Sequence, residues 1–249
     1  MLQVCLNGPR SRAEAPALPV TPEQLAAAAR AAVAVGAENI HLHARDSEGR
    51  DTLEAVAVAA AVSAVRAAVP GIPVGVTTGA WASSDPQDRV ARIAEWTVLP
   101  DHASVNWHEK GAREVAAVLL DRGVGIEAGI FSGTTAARQF LDWPHAHRVL
   151  RVMAEVTETA PPEALDAADR LLGELEAAPT PLLLHGQDEA AWSVLRLAAT
   201  RGLDTRIGFE DVLHLPDGTP ARDNAALVRE ARAILQRPDS GPVHEAAGS

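Results

Sequence analysis

Short apolar runs that suit buried strands alternate eight times with Ala- and Leu-rich helical patterns along the chain. The predicted strands cover residues 2–7, 39–44, 73–78, 102–107, 124–130, 148–156, 181–186 and 205–210. The predicted helices cover residues 22–35, 52–68, 86–97, 111–122, 134–141, 162–177, 188–201 and 223–236. Eight strand–helix units in 249 residues predict an α/β-class (β/α)8 TIM barrel. A doubly wound open sheet is the alternative, although it seldom contains eight such regular units.

The eight units follow one another without a linker or a low-complexity segment. We therefore predict that residues 1–236 form a single catalytic barrel domain. The remaining residues 237–249, RPDSGPVHEAAGS, are rich in Pro, Gly and Ser. Chain ends of this kind are commonly poorly ordered, and we expect a disordered tail.

The net charge of the chain indicates which partners it disfavours. The chain has 22 basic and 33 acidic residues and a net charge of −11, which argues against nucleic acid or an anionic membrane surface as a partner. The single cysteine, Cys5, excludes an internal disulfide framework and fits a reducing compartment. No secretory signal and no membrane-spanning run is recognisable in the sequence, so we expect a cytoplasmic protein.

Polar side chains accumulate at the carboxyl ends of the predicted strands. In strand order they are Asn7, His41, His43, Thr77, Thr78, Ser104, Asn106, Glu127, Glu155, His185, Arg206, Glu210 and Asp211. Active sites of (β/α)8 barrels lie at this end, whereas the centre of the barrel is normally filled with branched apolar side chains. The pattern therefore predicts an active site at the carboxyl rim.

Two histidines on one predicted strand point to a metal. His41 and His43 are two residues apart and share one face, and two buried imidazoles are costly unless something satisfies them. Counting by two from Arg206 places Glu210 on the inner face of strand 8, two strands away from the histidines. Two imidazoles and a carboxylate with an open position form a typical site for a catalytic divalent metal such as zinc. The alternative is a pair of hydrogen-bonded core histidines.

Several segments carry a family resemblance over essentially the whole chain. They are TPEQLAAAARAAVAVGA, NIHLHARDSEGR, VTTGAW, ASVNWHE and TRIGFEDVLHLPDGTPARDNAALVREA. Together they resemble the β-keto acid cleavage enzymes, the family of the 3-keto-5-aminohexanoate cleavage enzyme. The pattern around GFED and LPDG is specific to that family, whereas a lone H-x-H is not.

The resemblance implies a (β/α)8 barrel with Zn²⁺ held by His41, His43 and Glu210, although another divalent metal remains open. It implies a Claisen-type exchange in which a β-keto acid and acetyl-CoA give acetoacetate and a new acyl-CoA. Asp211 takes the place of the catalytic base, and the family forms homo-oligomers. Arg206 is expected to orient Asp211 and to keep it ionised, unless the two residues form a purely structural pair.

The remaining polar groups at the rim are candidates for substrate binding. Neutral groups suited to a substrate carboxylate or an enolate oxygen are Asn7, Thr77, Thr78, Ser104 and Asn106. Each could equally be an ordinary capping or turn residue. Glu127 matches an acidic position near the substrate in the family, and the alternative is a salt-bridged residue behind the site.

Strands 6 and 7 depart from the family pattern. Glu155 and His185 stand where familiar members carry a Gly-rich turn and an apolar, Gly-containing strand end. We expect them to form a pair that selects β-keto acids with a polar distal group. Alternatively, Glu155 pairs with Arg151 or with a loop arginine, and His185 caps a helix.

This departure leaves the use of acetyl-CoA open. A CoA-independent, metal-dependent aldolase or lyase acting on a keto acid is the second enzyme hypothesis. A catalytically inactive barrel that serves as a binding subunit is the third hypothesis, and the intact histidine and carboxylate pattern argues against it.

Overall fold

Eight parallel strands form a closed barrel in the computed structural model, which describes residues 1–237. The strands are β1 (Leu2–Cys5), β2 (Asn39–Leu42), β3 (Val74–Thr77), β4 (His102–Asn106), β5 (Gly125–Phe131), β6 (Arg151–Val156), β7 (Leu182–Gly186) and β8 (Asp204–Ile207). Each strand pairs with the next in sequence, and β8 pairs with β1 to close the ring. The predicted single-domain (β/α)8 barrel is confirmed, and the open sheet is excluded because neither edge is left unpaired.

A helix follows each strand in the described part of the chain. The helices are α1 (Pro22–Ala34), α2 (Ala55–Ala68), α3 (Pro86–Ala94), α4 (Ala112–Asp121), α5 (Ala136–Leu141), α6 (Pro161–Glu174), α7 (Ala191–Thr200) and α8 (Asn224–Gln236). The first residues of α1 show how the local sequence determines where a helix begins. Thr21 accepts the amide of Gln24 at 3.3 Å, and the Gln24 side chain accepts the amide of Thr21 at 3.2 Å.

The differences from the predicted boundaries lie at strand and helix ends. Residues 146–148 form a short 3₁₀ helix, so the sixth strand begins at Arg151 instead of residue 148. A second 3₁₀ helix at Asp188–Ala190 precedes α7, where the prediction had one continuous helix. The eighth strand ends at Ile207, three residues earlier than predicted.

The two faces of the strands have different partners. Outward side chains such as Val4, Ile40 and Ile126 are fully buried in the apolar layer between strands and helices. Inward side chains of the amino-terminal half are polar and also buried, among them Gln3 and His102. The interior of this barrel is therefore a hydrogen-bonded layer, unlike the usual stack of branched apolar residues.

Glu127 lies in this inner layer. It is the third residue of β5, which continues to Phe131, so its predicted position at the carboxyl end of the strand is wrong. Gln3 donates to Glu127 at 2.8 Å, and Nε of Arg151 lies 3.2 Å from the same carboxylate. Burial raises the pKa of Glu127, but His102 and Arg151 outweigh burial and hold this pKa below its usual value. The salt-bridged alternative describes Glu127.

Two further expectations concern the rest of the chain. No helix within residues 1–237 combines the length and the apolar character needed to cross a bilayer. Of the predicted disordered tail, residues 237–249, all but the first residue lie outside the described residues.

Candidate active site

His41 and His43 approach Glu210 at the carboxyl end of the barrel. The Nε2 atoms of the two histidines lie 3.6 and 3.7 Å from the same oxygen, Oε2 of Glu210. Two ligands of one tetrahedral zinc ion are about 3.4 Å apart. Within residues 1–237, Nε2 of His43 and Oε2 of Glu210 are buried without a hydrogen-bond partner. The three side chains therefore have the spacing to hold one divalent ion.

Asp51 orients the second histidine. Its Oδ2 lies 3.0 Å from Nδ1 of His43, and its Oδ1 lies 3.0 Å from Nε of Arg45. A carboxylate behind a metal-binding imidazole places the proton on the far nitrogen and leaves the near one free to bind. Sequence reasoning missed Asp51, because it follows His43 by eight residues across a turn and no periodicity links them. The Arg45–Asp51 bridge that closes this turn is a tertiary feature.

The carboxylates around the two imidazoles favour positive charge at this point of the rim. Burial lowers the pKa of His41 to about 4, so this imidazole is neutral at neutral pH. Burial also lowers the pKa of His43, but Glu210 and Asp51 outweigh it and raise the value to about 9. Burial raises the pKa of Glu210, whereas Arg206 and the two histidines lower it more, so the carboxylate is ionised.

Glu210 reaches the site by a different route from the predicted one. The prediction extended the strand through residue 210, but a turn begins after Ile207, and the amide of Asp211 donates to the carbonyl of Gly208 at 2.9 Å. A Cβ atom at residue 208 would collide with the backbone of Cys5, so only glycine permits this turn against β1. Glu210 is therefore at the predicted place, but a turn, and not an extended strand, brings it there.

The same turn brings the neighbouring carboxylate to Arg206. Nε and Nη2 of Arg206 lie 3.1 and 2.8 Å from Oδ1 of Asp211, and Nη2 donates to Oε1 of Glu210 at 3.0 Å. In an extended strand, adjacent side chains would point to opposite faces. Oδ2 of Asp211 is buried and has no hydrogen-bond partner in the described part of the chain. Asp211 is thus held by one oxygen and free at the other.

His185 connects Asp211 to Glu155. Its Nδ1 lies 3.5 Å from Oδ1 of Asp211, and its Nε2 lies 3.4 Å from Oε2 of Glu155. Glu155 on β6 and His185 on β7 are register partners, as the predicted pair requires. Burial and Arg206 lower the pKa of His185, but the two carboxylates outweigh them and raise it. Arg151 pairs with Glu127, and within residues 1–237 Glu155 has an ion pair with His185 and none with an arginine, contrary to the alternative.

Two acceptor oxygens meet above Gly129. A Cβ atom at this glycine would lie 2.5 Å from Oε1 of Glu155 and 2.8 Å from Oδ1 of Asn106. The amide group of Asn106 donates to Glu109 at 2.9 Å, which fixes its carbonyl oxygen toward the glycine. Oε1 of Glu155 is buried and unpaired among the described residues. These oxygens lie on strands β4–β6, across the barrel from His41 and Glu210.

The remaining predicted groups tie backbone segments together. The side chain of Asn7 donates a hydrogen bond to the carbonyl of His43 and accepts one from the amide of His43, both at 2.9 Å. These two bonds join the segment after β1 to the segment after β2. Thr78 donates to the carbonyl of Ser104 at 2.6 Å, and Thr77 accepts a backbone amide at 3.1 Å. The capping and turn alternative therefore describes Asn7 and Thr78. Ser104 contributes a neutral hydroxyl group at the rim of the barrel.

An aromatic ring covers the site from the loop after β3. Trp81 is 48% exposed and stacks on His43 with 5.8 Å between the ring centroids and 4° between the planes. Trp81 therefore forms one wall of the entrance to the metal-binding side chains.

Solved structures share the fold of this chain. The apo structure of ObcA superposes with a TM-score of 0.71 at 16% identity over 89% of this chain. This chain spans 62% of ObcA, less than two thirds of its length. The 3-dehydroquinate dehydratase from Aquifex aeolicus superposes with a TM-score of 0.59 at 11% identity, covering 95% of this chain and 99% of that one. At such identities the likeness shows the barrel alone.

Sequence relatives narrow the assignment. The chain is 27% identical to the 3,5-dioxohexanoate:acetyl-CoA acetone transferase of Paraburkholderia graminis, over 89% of this chain and 84% of the relative. It is 25% identical to the 3-keto-5-aminohexanoate cleavage enzyme of Fusobacterium nucleatum, over 86% of this chain and 82% of the relative. The family model of the beta-keto acid cleavage enzymes matches residues 1–247. With that match over nearly its full length, and with the barrel and the rim described above, the chain belongs to the beta-keto acid cleavage enzyme family.

Proposed function

We propose that this carbon–carbon bond-cleaving enzyme uses a divalent metal, most simply Zn²⁺, to exchange a β-keto acid with acetyl-CoA. The keto acid R–CO–CH₂–COO⁻ and acetyl-CoA give acetoacetate and R–CO–SCoA, so that all atoms balance. The observation that carries this proposal is the turn at residues 208–211. It brings a metal-binding carboxylate, Glu210, and a free carboxylate, Asp211, to one arginine. The acetyl-CoA-dependent name of the Paraburkholderia graminis relative supports the choice of co-substrate.

The metal-binding side chains fit zinc. Two imidazole nitrogens and one carboxylate oxygen are the ligands of many catalytic zinc sites, and they leave a position for substrate. A bound divalent ion would polarise the ketone and carboxylate oxygens of a β-keto acid and acidify the C2 protons between them. Asp51 holds His43 in the tautomer that such binding requires.

Asp211 is the base that removes the C2 proton. Its Oδ2 has no partner within the described residues and accepts the proton, while Oδ1 stays bonded to Arg206. The adjacent guanidinium fixes the direction of the carboxylate through two hydrogen bonds. Both residues are buried, so bulk water does not compete for the carboxylate.

The pair of Glu155 and His185 selects the distal group of the substrate. A keto acid bound beside His41 and Glu210 extends across the barrel toward strands β4–β6, where Oε1 of Glu155 lacks a donor. Hydrogen bonds to charged groups contribute about 1.5–3 kcal/mol. A distal ammonium or hydroxyl group would supply the missing donor, and a plain alkyl group would leave the carboxylate oxygen unsatisfied.

Replacing the pair should change the order of substrates. In a Glu155→Gly, His185→Ala double variant, the kcat/KM ratio of polar to alkyl β-keto acids should fall about 10- to 100-fold, because one charged hydrogen bond is lost. Metal content should stay unchanged. The isosteric Glu155→Gln variant should reduce turnover of ammonium-bearing keto acids more than that of hydroxyl-bearing ones. An unchanged ranking in both variants would assign the pair a purely structural role.

A panel of β-keto acids, each assayed with and without acetyl-CoA, tests the proposed reaction. We expect acetoacetate and a new acyl-CoA in equal amounts, and no cleavage when acetyl-CoA is omitted. Cleavage without acetyl-CoA would instead establish the CoA-independent aldolase or lyase. Absence of turnover and of C2-proton exchange across the panel would favour an inactive barrel.

We also propose that the enzyme is a cytoplasmic homo-oligomer. Val56 is 79% exposed and Leu150 is 45% exposed, which leaves apolar surface for contacts between copies. The only cysteine, Cys5, is buried and free, as is common for proteins of reducing compartments.

A further inference from the structure

We propose that a cavity next to the turn that carries Glu210 and Asp211 binds the phosphate-bearing adenosine end of the acyl-CoA co-substrate. The proposal rests on the exchange reaction above and adds the place where the second substrate is held. It is carried by the position, the charge and the aromatic wall of this cavity, and by two hydrogen bonds that join the cavity to the catalytic turn.

The cavity lies outside the barrel mouth, between the start of α7 and residues 212–218. Its volume is about 710 Å³, within the range of roughly 300–1,000 Å³ typical of small-molecule sites. It is lined by the segments that follow β7 and β8. In (β/α)8 enzymes, the loops after strands 7 and 8 frequently form the phosphate-binding site.

Cationic side chains border the cavity. The arginines Arg10 and Arg196 line it, together with the acidic residues Asp188 and Glu189. Arg10 forms an ion pair with Asp188, so these two charges balance each other. Arg196 is exposed and has no ion-pair partner within residues 1–237. A guanidinium that is not already paired is suited to a phosphate, which it can bind through two parallel hydrogen bonds.

An aromatic side chain forms another part of the wall. Trp192 is only 8% exposed, and its Nε1 donates to the carbonyl of His214 at 2.8 Å, which fixes the orientation of the indole. Leu215 and Pro216 lie in the same lining. Apolar and aromatic side chains are the usual walls of small-molecule sites, and such a wall suits the flat face of a base. The cavity thus combines a surface for adenine with a cation for phosphate.

Two hydrogen bonds connect the cavity to the catalytic turn. Nε of Arg10 donates to the carbonyl of Glu210 at 3.2 Å, and the amide of Asp188 donates to the carbonyl of Asp211 at 2.7 Å. Asp188 has a φ of 48°, the only positive φ of a non-glycine residue in the described chain. Such conformations cluster at ligand-binding sites, where the surroundings hold them. The wall of the cavity is thereby joined to the backbone of the turn that carries Glu210 and Asp211.

Calorimetry with adenosine 3′,5′-bisphosphate, the nucleotide end of coenzyme A, tests the cavity on the full chain. Arg196→Glu should weaken its binding roughly 10- to 100-fold, the loss of one charged hydrogen bond. In turnover, the same variant should raise the KM for acetyl-CoA by a similar factor and leave the KM for the keto acid nearly constant. Arg30→Glu, the same charge change on exposed α1, is the control and should bind the bisphosphate as the parent does.

The outcomes separate this proposal from the exchange reaction. Unchanged bisphosphate binding in a folded, metal-loaded Arg196→Glu variant, or no binding by the parent protein, would overturn the cavity assignment. Equal competition by inorganic phosphate would show a general anion site and would also overturn the assignment to a nucleotide. If the parent binds the bisphosphate through Arg196 but turns over no keto acid with acetyl-CoA, the exchange reaction fails and the binding site stands.

Discussion

The Glu210→Gln and His41→Ala variants should each lose the bound divalent metal and about 10³-fold or more in activity, since such a metal supplies several kcal/mol of transition-state stabilisation. The physical reason is that the three ligand atoms converge within 4.8 Å of one another, so removing one leaves too few donors. Elemental analysis of protein purified without added metal should show about one ion per chain in the parent. The midpoint of thermal unfolding should change little, because the apolar core that stabilises the fold lies between strands and helices, away from the three ligands.

Graded losses would confirm the organisation around the metal. Asp51→Asn keeps both histidines and should lower metal affinity about 10- to 100-fold, the usual effect of removing a carboxylate behind a ligand histidine. The exposed His147→Ala variant is the matched control and should keep full metal content. Full occupancy in both Glu210→Gln and His41→Ala would show that the metal is bound elsewhere.

The Asp211→Asn variant should keep its metal and lose proton abstraction. General-base catalysis contributes about 10²- to 10⁴-fold, and the exchange of C2 protons of a β-keto acid in deuterated water should slow by that factor. The amide keeps the shape of the side chain and the contact of its oxygen with Arg206, but it has no charge to accept a proton. Proton NMR of the keto acid during incubation measures this step without complete turnover.

Two further variants make the assignment specific. Arg206→Ala should slow the exchange nearly as much, because the guanidinium that orients Asp211 is removed. Asp166→Asn, an exposed carboxylate on α6, should exchange at the parental rate. Undiminished exchange in Asp211→Asn would remove this residue from the role of base.

Much of the fold was predictable because local sequence and global fold agree. The capping box at Thr21 and Gln24 marks the start of α1, and short apolar runs mark the strands. Errors arose at ends, such as residue 148, where a 3₁₀ helix precedes the strand. Strand ends depend on pairing with a neighbour, and that pairing is not a property of the segment itself.

The sequence by itself determined the eight-unit barrel and the proximity of His41 and His43, because repeated apolar runs and a spacing of two residues are local properties of the chain. The predicted strand 39–44 was too long, since β2 ends at Leu42, before His43. Only the tertiary structure decided that Asp51 supports His43 and that Glu127 lies inside the barrel. It also decided that one turn at Gly208 directs two adjacent carboxylates to Arg206. The physical reason is twofold. Barrel closure brings Gln3 to Glu127 from a distant part of the chain. The alternation of side chains holds only while strand hydrogen bonding continues, so it does not predict the turns after β2 and β8.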